Sequence, residues 1–286
     1  GWGENSGPHQ LADGTILCSG YISLAPDHPR AYLLRSRDGG RTWGDASCIA
    51  TASEVNLAVL PGDKLFACLR VATDAAGEGG AGLEVTESTD GGRTWSRANR
   101  ILGKAQSPGF PIYLKDGRLL IVYTHRQFPH GAQAIASLDE GKTWDTQHPV
   151  ILAWFSWDSY CGHPRSLVLP DGSIVTGYYT RIFNETQNPD PDIFGQCLRW
   201  QAPADWPAKW PPSPAPLAPA AGKQPRLEIP TYSASAGSGQ YTGFNSVNLQ
   251  EIYVVQKQPA SRAQISPRGG HKPCIALLPS GDLLAT

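Results

Sequence analysis

An eight-residue segment occurs three times in this chain and constrains its fold more than any other feature. The copies share the frame Ser-x-Asp-x-Gly-x-Thr-Trp and read SRDGGRTW at 36–43, STDGGRTW at 88–95 and SLDEGKTW at 137–144. Their aspartates are spaced by roughly 50 residues, which is the length of one four-stranded propeller blade. The repeat therefore predicts an all-β propeller built from four-stranded antiparallel blades.

The residue types in the repeat are those of a tight turn. The aspartate can accept hydrogen bonds from backbone N–H groups and from the threonine hydroxyl, and the glycine supplies a backbone angle that other residues resist. The tryptophan is expected to enter the apolar layer between blades. We therefore expect these aspartates to be structural and not catalytic.

A second repeat, out of phase with the first, consists of two apolar stretches joined by a glycine-containing turn. Each copy predicts a β-hairpin. The copies lie at 10–20, 58–70, 112–123, 166–179 and 275–286. Together with the region before Gly270 they predict six blades, although five or seven would also fit the pattern.

One long segment interrupts both repeats. Residues 203–230 are rich in proline and alanine and lack a strand period, which is typical of an extended linker or surface tether. We therefore predict propeller blades over 1–202, a linker or tether over 203–230, and strands over 231–286 that complete the same propeller.

Composition excludes several classes of partner. The chain has 286 residues with 24 Lys and Arg against 25 Asp and Glu, so neither nucleic acid nor an anionic membrane surface is an expected partner. No apolar run approaches the roughly 20 residues of a membrane span. The six cysteines show no C-x-x-C spacing, and neither a metal nor another cofactor is predicted. The oligomeric state is not predicted.

The absence of methionine, including an initiator, indicates a processed or trimmed chain. Because removal of an export signal is one route to such a chain, a secreted or periplasmic location stays open.

The three octapeptides resemble the Asp box, or BNR repeat, of the sialidase (neuraminidase) superfamily, whose members are β-propellers. The resemblance extends to two further segments. GHKPCIALLPSGDLLA at 270–285 has the form that opens such a propeller, and the segment at 178–200 looks like its end. The segment order thus resembles a circular permutation of the family order, which a closed ring accommodates.

The resemblance implies a candidate catalytic pair. The segment at 54–70, EVNLAVLPGDKLFACLR, resembles the sialidase blade that supplies a glutamate partnering the nucleophile and one arginine of a substrate-carboxylate clamp. The matching residues here are Glu54 and Arg70. An arginine fork binds a carboxylate through two charge-assisted hydrogen bonds, which suits an acidic sugar.

Two family elements are altered in this chain. The segment that should contain Phe/Tyr-Arg-Ile-Pro reads Gly-His-Lys-Pro, so His271 or Lys272 offers a cation without the arginine fork. At the nucleophilic tyrosine of the family, residues 160–165 read YCGHPR, and the register assigns His163 to that place with Tyr160 as the alternative. Histidine there suggests a different chemistry.

Other candidate side chains come from the segment before the third box. Where the family places a third clamp arginine, residues 125–137 offer Arg126 and His130, and Arg165 and Arg181 are alternatives. Histidines at the cavity mouth could act as general acids or bases, or bind a cation with Glu54. These histidines are His125, His130, His163 and His271.

The favoured function is that of a sialidase-like glycoside hydrolase, exo-acting, that releases a terminal sugar bearing a carboxylate. The predicted partner is a saccharide. Two alternatives stay open: a polysaccharide lyase or rhamnosidase-type propeller that uses histidine, and a non-catalytic propeller that binds glycans.

Overall fold

The computed structural model describes residues 2–4, 7–22, 29–73, 79–127, 130–153, 156–182, 192–207, 260–264, 275–277 and 283–285. The chain divides into two units, Gly1–Trp210 with Gln258–Thr286, and Pro211–Lys257. All described residues belong to the first unit. The described residues do not include the second unit, most of the predicted linker, His271 or Lys272.

Antiparallel sheets account for nearly all regular structure in the described residues. Blade 1 contains β1 (Trp2–Glu4), β2 (His9–Gln10), β3 (Ile16–Ile22), β4 (Arg30–Ser36) and β5 (Gly44–Thr51). Blade 2 contains β6 (Val55–Leu60), β7 (Lys64–Thr73), β8 (Gly79–Ser88) and β9 (Asn99–Leu102). Blade 3 contains β10 (Gly109–Tyr113), β11 (Leu119–His125), β12 (Gly131–Ser137) and β13 (Asp145–Ala153).

The remaining strands form a fourth blade and a short hairpin. Blade 4 contains β14 (Gly162–Val168), β15 (Ile174–Ile182), β16 (Asp192–Trp200) and β17 (Ala260–Gln264). The hairpin pairs β18 (Ile275–Leu277) with β19 (Leu283–Ala285). The predicted all-β propeller of four-stranded antiparallel blades is confirmed, whereas the count of six blades stays a prediction. No helix in the described part of the chain has the length and hydropathy that a membrane crossing requires.

Apolar side chains fill the layers between consecutive blades. Blades 1 and 2 share a cluster that includes Leu17, Leu33 and Leu65. Phe66 and Leu119 belong to the layer between blades 2 and 3. Blades 3 and 4 share a layer lined by Leu120, Val122, Tyr178, Trp200 and Trp206. Every residue of β11 and β12, the central strands of blade 3, is buried, because their alternate side chains enter the apolar layers on the two faces of the blade.

The three octapeptides form nearly identical turns between the last two strands of blades 1 to 3. In the second, Asp90 accepts hydrogen bonds from the Thr94 hydroxyl at 2.6 Å, the Thr94 backbone N–H at 2.9 Å and the Ser88 hydroxyl at 2.7 Å. Asp38 and Asp139 accept the equivalent bonds. The aspartates therefore complete their own turns, as predicted.

The box tryptophans do not all lie between blades. Trp95 and Trp144 pack against the apolar layer shared with the preceding blade. Trp43 differs from the prediction, because 41% of its surface is exposed. It belongs to blade 1, and its indole N–H donates to the Gly40 carbonyl within its own turn at 3.0 Å.

Candidate active site

The predicted site residues Glu54 and Arg70 lie side by side at one end of blade 2. Glu54 directly precedes β6, and its backbone carbonyl accepts a hydrogen bond from the Arg70 N–H at 2.9 Å. The side chains also pair, with Arg70 Nη1 2.9 Å from Glu54 Oε2. Glu54 is only 7% exposed. The arginine thus supplies a charge-assisted partner that a nearly buried carboxylate requires.

His163 approaches the same carboxylate from blade 4. Its Nε2 lies 3.7 Å from Glu54 Oε1, and the side chain is buried. The backbone N–H of His163 donates to the Thr124 hydroxyl of blade 3 at 2.8 Å. Glu54, Thr124 and His163 therefore bring three blades together at one point. The first strand of blade 3, β10, also contacts the first strands of the other two blades, β6 and β14.

The backbone at His163 is strained. His163 has φ of 45° and Gly162 has φ of 92°. A side chain at Gly162 would overlap Thr124, with a Cβ only 2.7 Å from the threonine Cβ, so glycine is required for this approach. A non-glycine residue in the left-handed region costs of the order of 1–2 kcal/mol. Strain of this kind is common at functional sites, and here it accompanies the placement of an imidazole beside Glu54.

Tyr179 belongs to the cluster but was not predicted. It lies on β15, paired across the sheet with Gly162, and its ring stacks on His163 with centroids 5.8 Å apart. Burial raises its pKa well above the ordinary value; the positive charge of Arg126 opposes this increase, and the charge of Glu54 adds to it. The sequence contains one signal for Tyr179, the adjacent pair Tyr178 and Tyr179 in a predicted strand. Because neighbouring strand residues face opposite sides of a sheet, only one of the two tyrosines can enter the same apolar layer.

Tyr160 lies at the outer side of the cluster and is 41% exposed. Its ring centroid is 5.4 Å from that of Tyr179, and the Arg181 guanidinium lies 5.5 Å from the Tyr160 centroid. Tyr160 therefore contacts Tyr179, which in turn stacks on His163 beside Glu54.

Arg126 contributes a cation from blade 3. Its backbone N–H donates to the carbonyl of Ala105 at 2.7 Å. Its side-chain Nε is buried and has no hydrogen-bond partner among the described residues. The Arg126 charge also opposes the rise in the pKa of Cys161, which burial raises to about 12. Arg126 therefore has a buried N–H donor without a partner in the described part of the chain, and its positive charge acts on the neighbouring Tyr179.

Two other predicted substrate-binding residues lie nearby. Arg165 donates to the side-chain carbonyl of Asn56 and lies 5.4 Å from the Phe110 ring centroid. The backbone carbonyl of His130 accepts a bond from the Ser156 N–H at 3.3 Å. Burial lowers the pKa of His130 below its ordinary value, and the negative charge of Asp158 offsets only part of this decrease.

The alternative role of the histidines as metal ligands finds no support in the described residues. No group of three or more His, Cys, Asp and Glu side chains among them is arranged to hold a metal ion. His271, the fourth histidine of that hypothesis, lies outside the residues described.

Comparisons with known proteins place the chain among propellers. Residues 4–128 match the BNR repeat-like domain. No curated protein sequence matches the chain significantly. Among solved structures, an α-L-arabinanase from Penicillium chrysogenum is similar with a TM-score of 0.54 and 17% identity, over 71% of this chain and 63% of that one.

Two further structures have comparable similarity. A protein of unknown function from Dyadobacter fermentans aligns with a TM-score of 0.52 and 23% identity, over 66% of this chain and 51% of that one. An α-L-arabinofuranosidase from Fusarium graminearum aligns with a TM-score of 0.53 and 17% identity, over 70% and 61%. This chain thus spans less than two thirds of the length of each, and these similarities show the fold. The chain therefore has the fold of a β-propeller, and its residues 4–128 are similar to the BNR repeat-like domain.

Proposed function

We propose that this propeller is a glycoside hydrolase that releases a terminal, carboxylate-bearing sugar from a saccharide. The observation that carries the proposal is the environment of Glu54, a nearly buried carboxylate with Arg70 at 2.9 Å and His163 at 3.7 Å. Two similar structures are named as an arabinanase and an arabinofuranosidase, which supports glycan-directed chemistry.

Hydrolysis of a glycosidic bond requires one group that attacks the sugar or activates the attacking nucleophile, and a second group that transfers a proton to the leaving oxygen. Glu54, held by Arg70, is assigned the role of base or activator of a nucleophile. His163 is assigned the proton transfer, because imidazole exchanges protons near neutral pH. Tyr179 and Tyr160 are the neighbouring phenols. Burial keeps Tyr179 protonated, so it would attack only with a base such as Glu54 nearby.

Recognition of an acidic sugar is assigned chiefly to Arg126. The guanidinium of Arg70 already bonds Glu54, and that of Arg165 bonds Asn56. The buried Nε of Arg126 lacks a hydrogen-bond partner in the described part of the chain. A buried donor without a partner costs about 1–3 kcal/mol, and a carboxylate that completes the fork would remove this cost. Its charge already acts on Tyr179, so such a carboxylate would bind beside the proposed reacting groups.

A second candidate function is a lyase acting on uronate polymers. The observation that favours it is His163 itself, a buried imidazole held in a strained backbone beside a buried tyrosine. Elimination needs a base for the proton next to the carboxylate and a cation for that carboxylate, roles that His163 and Arg126 could fill. Its product would be an unsaturated uronate.

One screen tests the hydrolase and separates it from the lyase. The substrates are aryl glycosides of N-acetylneuraminic acid, glucuronic acid, L-arabinofuranose and L-rhamnose, with polygalacturonate and alginate as polymers. We expect the wild type to release aglycone from an acidic glycoside, and Glu54→Gln to lower kcat by about 10²–10⁴-fold, the usual contribution of a general base. Ultraviolet absorption by an unsaturated product would instead identify a lyase.

The matched control is Glu84→Gln. Glu84 is likewise paired with an arginine, Arg100 at 3.3 Å, but it is half-buried and lies on the outer strands of blade 2. It should leave turnover unchanged. If the wild type turns over none of these substrates, or if both variants lose activity equally, the proposed hydrolase is wrong.

A further inference from the structure

We infer that Thr124 is a positioning residue for His163, and that its hydroxyl group determines where the His163 imidazole lies beside Glu54. The catalytic consequence of this role rests on the proposed function. Thr124 is fully buried on β11, the second strand of blade 3, whereas His163 lies on β14 of blade 4. The Thr124 hydroxyl accepts the His163 backbone N–H at 2.8 Å. Thr124 therefore acts on His163 across the boundary between two blades.

The shape of the threonine side chain matches the backbone that it contacts. A Cβ at Gly162 would overlap both the hydroxyl oxygen and the methyl carbon of Thr124, so both branches of the side chain lie against blade 4. A β-branched side chain has restricted freedom about χ1. The Thr124 hydroxyl is therefore held towards the His163 N–H, and the methyl group occupies the space beside Gly162.

The backbone of Thr124 is fixed by its own blade, whereas that of His163 is not. The Thr124 N–H donates to the Pro108 carbonyl at 2.9 Å, and Thr124 pairs with Ala132 on β12. The pairing of β14 with β15 shifts register between Gly162 and Arg165, so strand pairing alone does not fix His163. Its φ of 45° is a conformation that persists only where surrounding contacts impose it. Thr124 supplies such a contact from a fixed position.

A change in the His163 backbone would move the imidazole relative to the groups around it. The imidazole Nε2 lies 3.7 Å from Glu54 Oε1, and the ring stacks on Tyr179 with centroids 5.8 Å apart. Proton transfer requires the donor and the acceptor to lie within hydrogen-bonding reach, so it is sensitive to small displacements of the ring. Loss of the Thr124 hydroxyl should therefore slow the proton transfer assigned to His163 without weakening substrate binding.

Variants of the full chain test the role of the hydroxyl group. Thr124→Val keeps the shape of threonine without the hydroxyl, while Thr124→Ala and Thr124→Ser both lack the methyl group and only serine keeps the hydroxyl. NMR spectra of protein with isotope-labelled histidine report on the His163 imidazole without requiring turnover, and His163→Gln assigns its signals. We expect Thr124→Val and Thr124→Ala to shift these signals and to lower kcat about 10–100-fold at unchanged KM, and Thr124→Ser to retain the wild-type signals and turnover.

The matched control is Thr176→Val. Thr176 is also fully buried, and its hydroxyl accepts the Trp200 indole N–H at 3.0 Å, but this bond does not involve His163. The control should keep the wild-type His163 signals and kcat, and circular dichroism and the melting temperature verify that each variant is folded.

The signals and the turnover separate the positioning role from the proposed hydrolase. A shift of the His163 signals in Thr124→Val and Thr124→Ala, but not in Thr124→Ser, in a protein without turnover would support the positioning role and contradict the hydrolase. Shifted signals at unchanged kcat would overturn the catalytic consequence. Unchanged signals in Thr124→Val, equal shifts in Thr124→Ala and Thr124→Ser, or the same shift in Thr176→Val would overturn the positioning role whether or not the aryl glycosides are cleaved.

Discussion

Alanine at the repeated glycine of each Asp box should destabilise the three boxes to different extents. Gly40, Gly92 and Gly141 occupy the same position and have φ of 86°, 80° and 90°. A Cβ at Gly40 would meet only Trp43, at 3.8 Å. At Gly92 it would overlap Leu33 and lie 3.0 Å from Leu65, and at Gly141 it would lie 2.6 Å from Phe66.

The magnitudes follow from two separate costs. Alanine in the left-handed region costs about 1–2 kcal/mol at all three positions. At Gly92 and Gly141 the new methyl group also meets buried core side chains, and overpacking of this kind adds about 1–3 kcal/mol. Gly40→Ala should therefore lower the free energy of unfolding by about 1–2 kcal/mol, and the other two variants by about 2–5 kcal/mol.

Urea unfolding, followed by tryptophan fluorescence and circular dichroism, measures these differences as shifts of the midpoint. Gly39→Ala is the control for backbone strain alone, because Gly39 has φ of 74° and nothing within 4 Å of its Cβ position. It should match Gly40→Ala. Equal destabilisation by Gly40→Ala and Gly92→Ala would refute the reasoning, since it would mean that the second box is not packed against the layer between blades.

Two further predictions concern substrate recognition and acid stability. Arg126→Lys should raise KM for an acidic glycoside about tenfold with little change in kcat, because an ammonium group cannot form the bidentate fork; an equal rise for a neutral glycoside would contradict this role. Hydrogen bonds, the largest contribution coming from Thr42, lower the pKa of Asp38 to about 2. Burial raises the pKa of Asp139, but the hydrogen bonds from Thr143 and Ser137 outweigh it and lower that pKa to about 2. Both folded-state pKa values lie below the ordinary value of 3.8, so the ionised carboxylates stabilise the folded state above about pH 4, and this stabilisation is lost as the pH falls towards 2. The melting temperature should therefore decrease between about pH 4 and pH 2, and an increase would contradict the prediction.

Local chemistry explains which parts of the fold were predictable. All the hydrogen bonds that Asp90 accepts come from residues 88–94, so the sequence of the box alone specifies its turn. The pairing of Glu54 with Arg70 was also accessible, because both flank one hairpin and meet at its open end. Their roles in catalysis remain predictions.

The rest of the site depends on contacts between distant segments. Tyr178 and Tyr179 are adjacent in sequence, and only the register of β15 decides that Tyr178 enters the core and Tyr179 the site. The left-handed backbone of His163 depends on Thr124 in another blade. The loop at 156–161 likewise takes its conformation from Arg181, beyond its own sequence.

The most direct test of the proposed chemistry is a crystal structure of Glu54→Gln with the acidic saccharide that the wild type cleaves. We expect the sugar carboxylate within hydrogen-bonding distance of Arg126 and the glycosidic oxygen between residue 54, His163 and Tyr179. A saccharide bound elsewhere, with those side chains untouched, would contradict the assignment of this cluster as the active site.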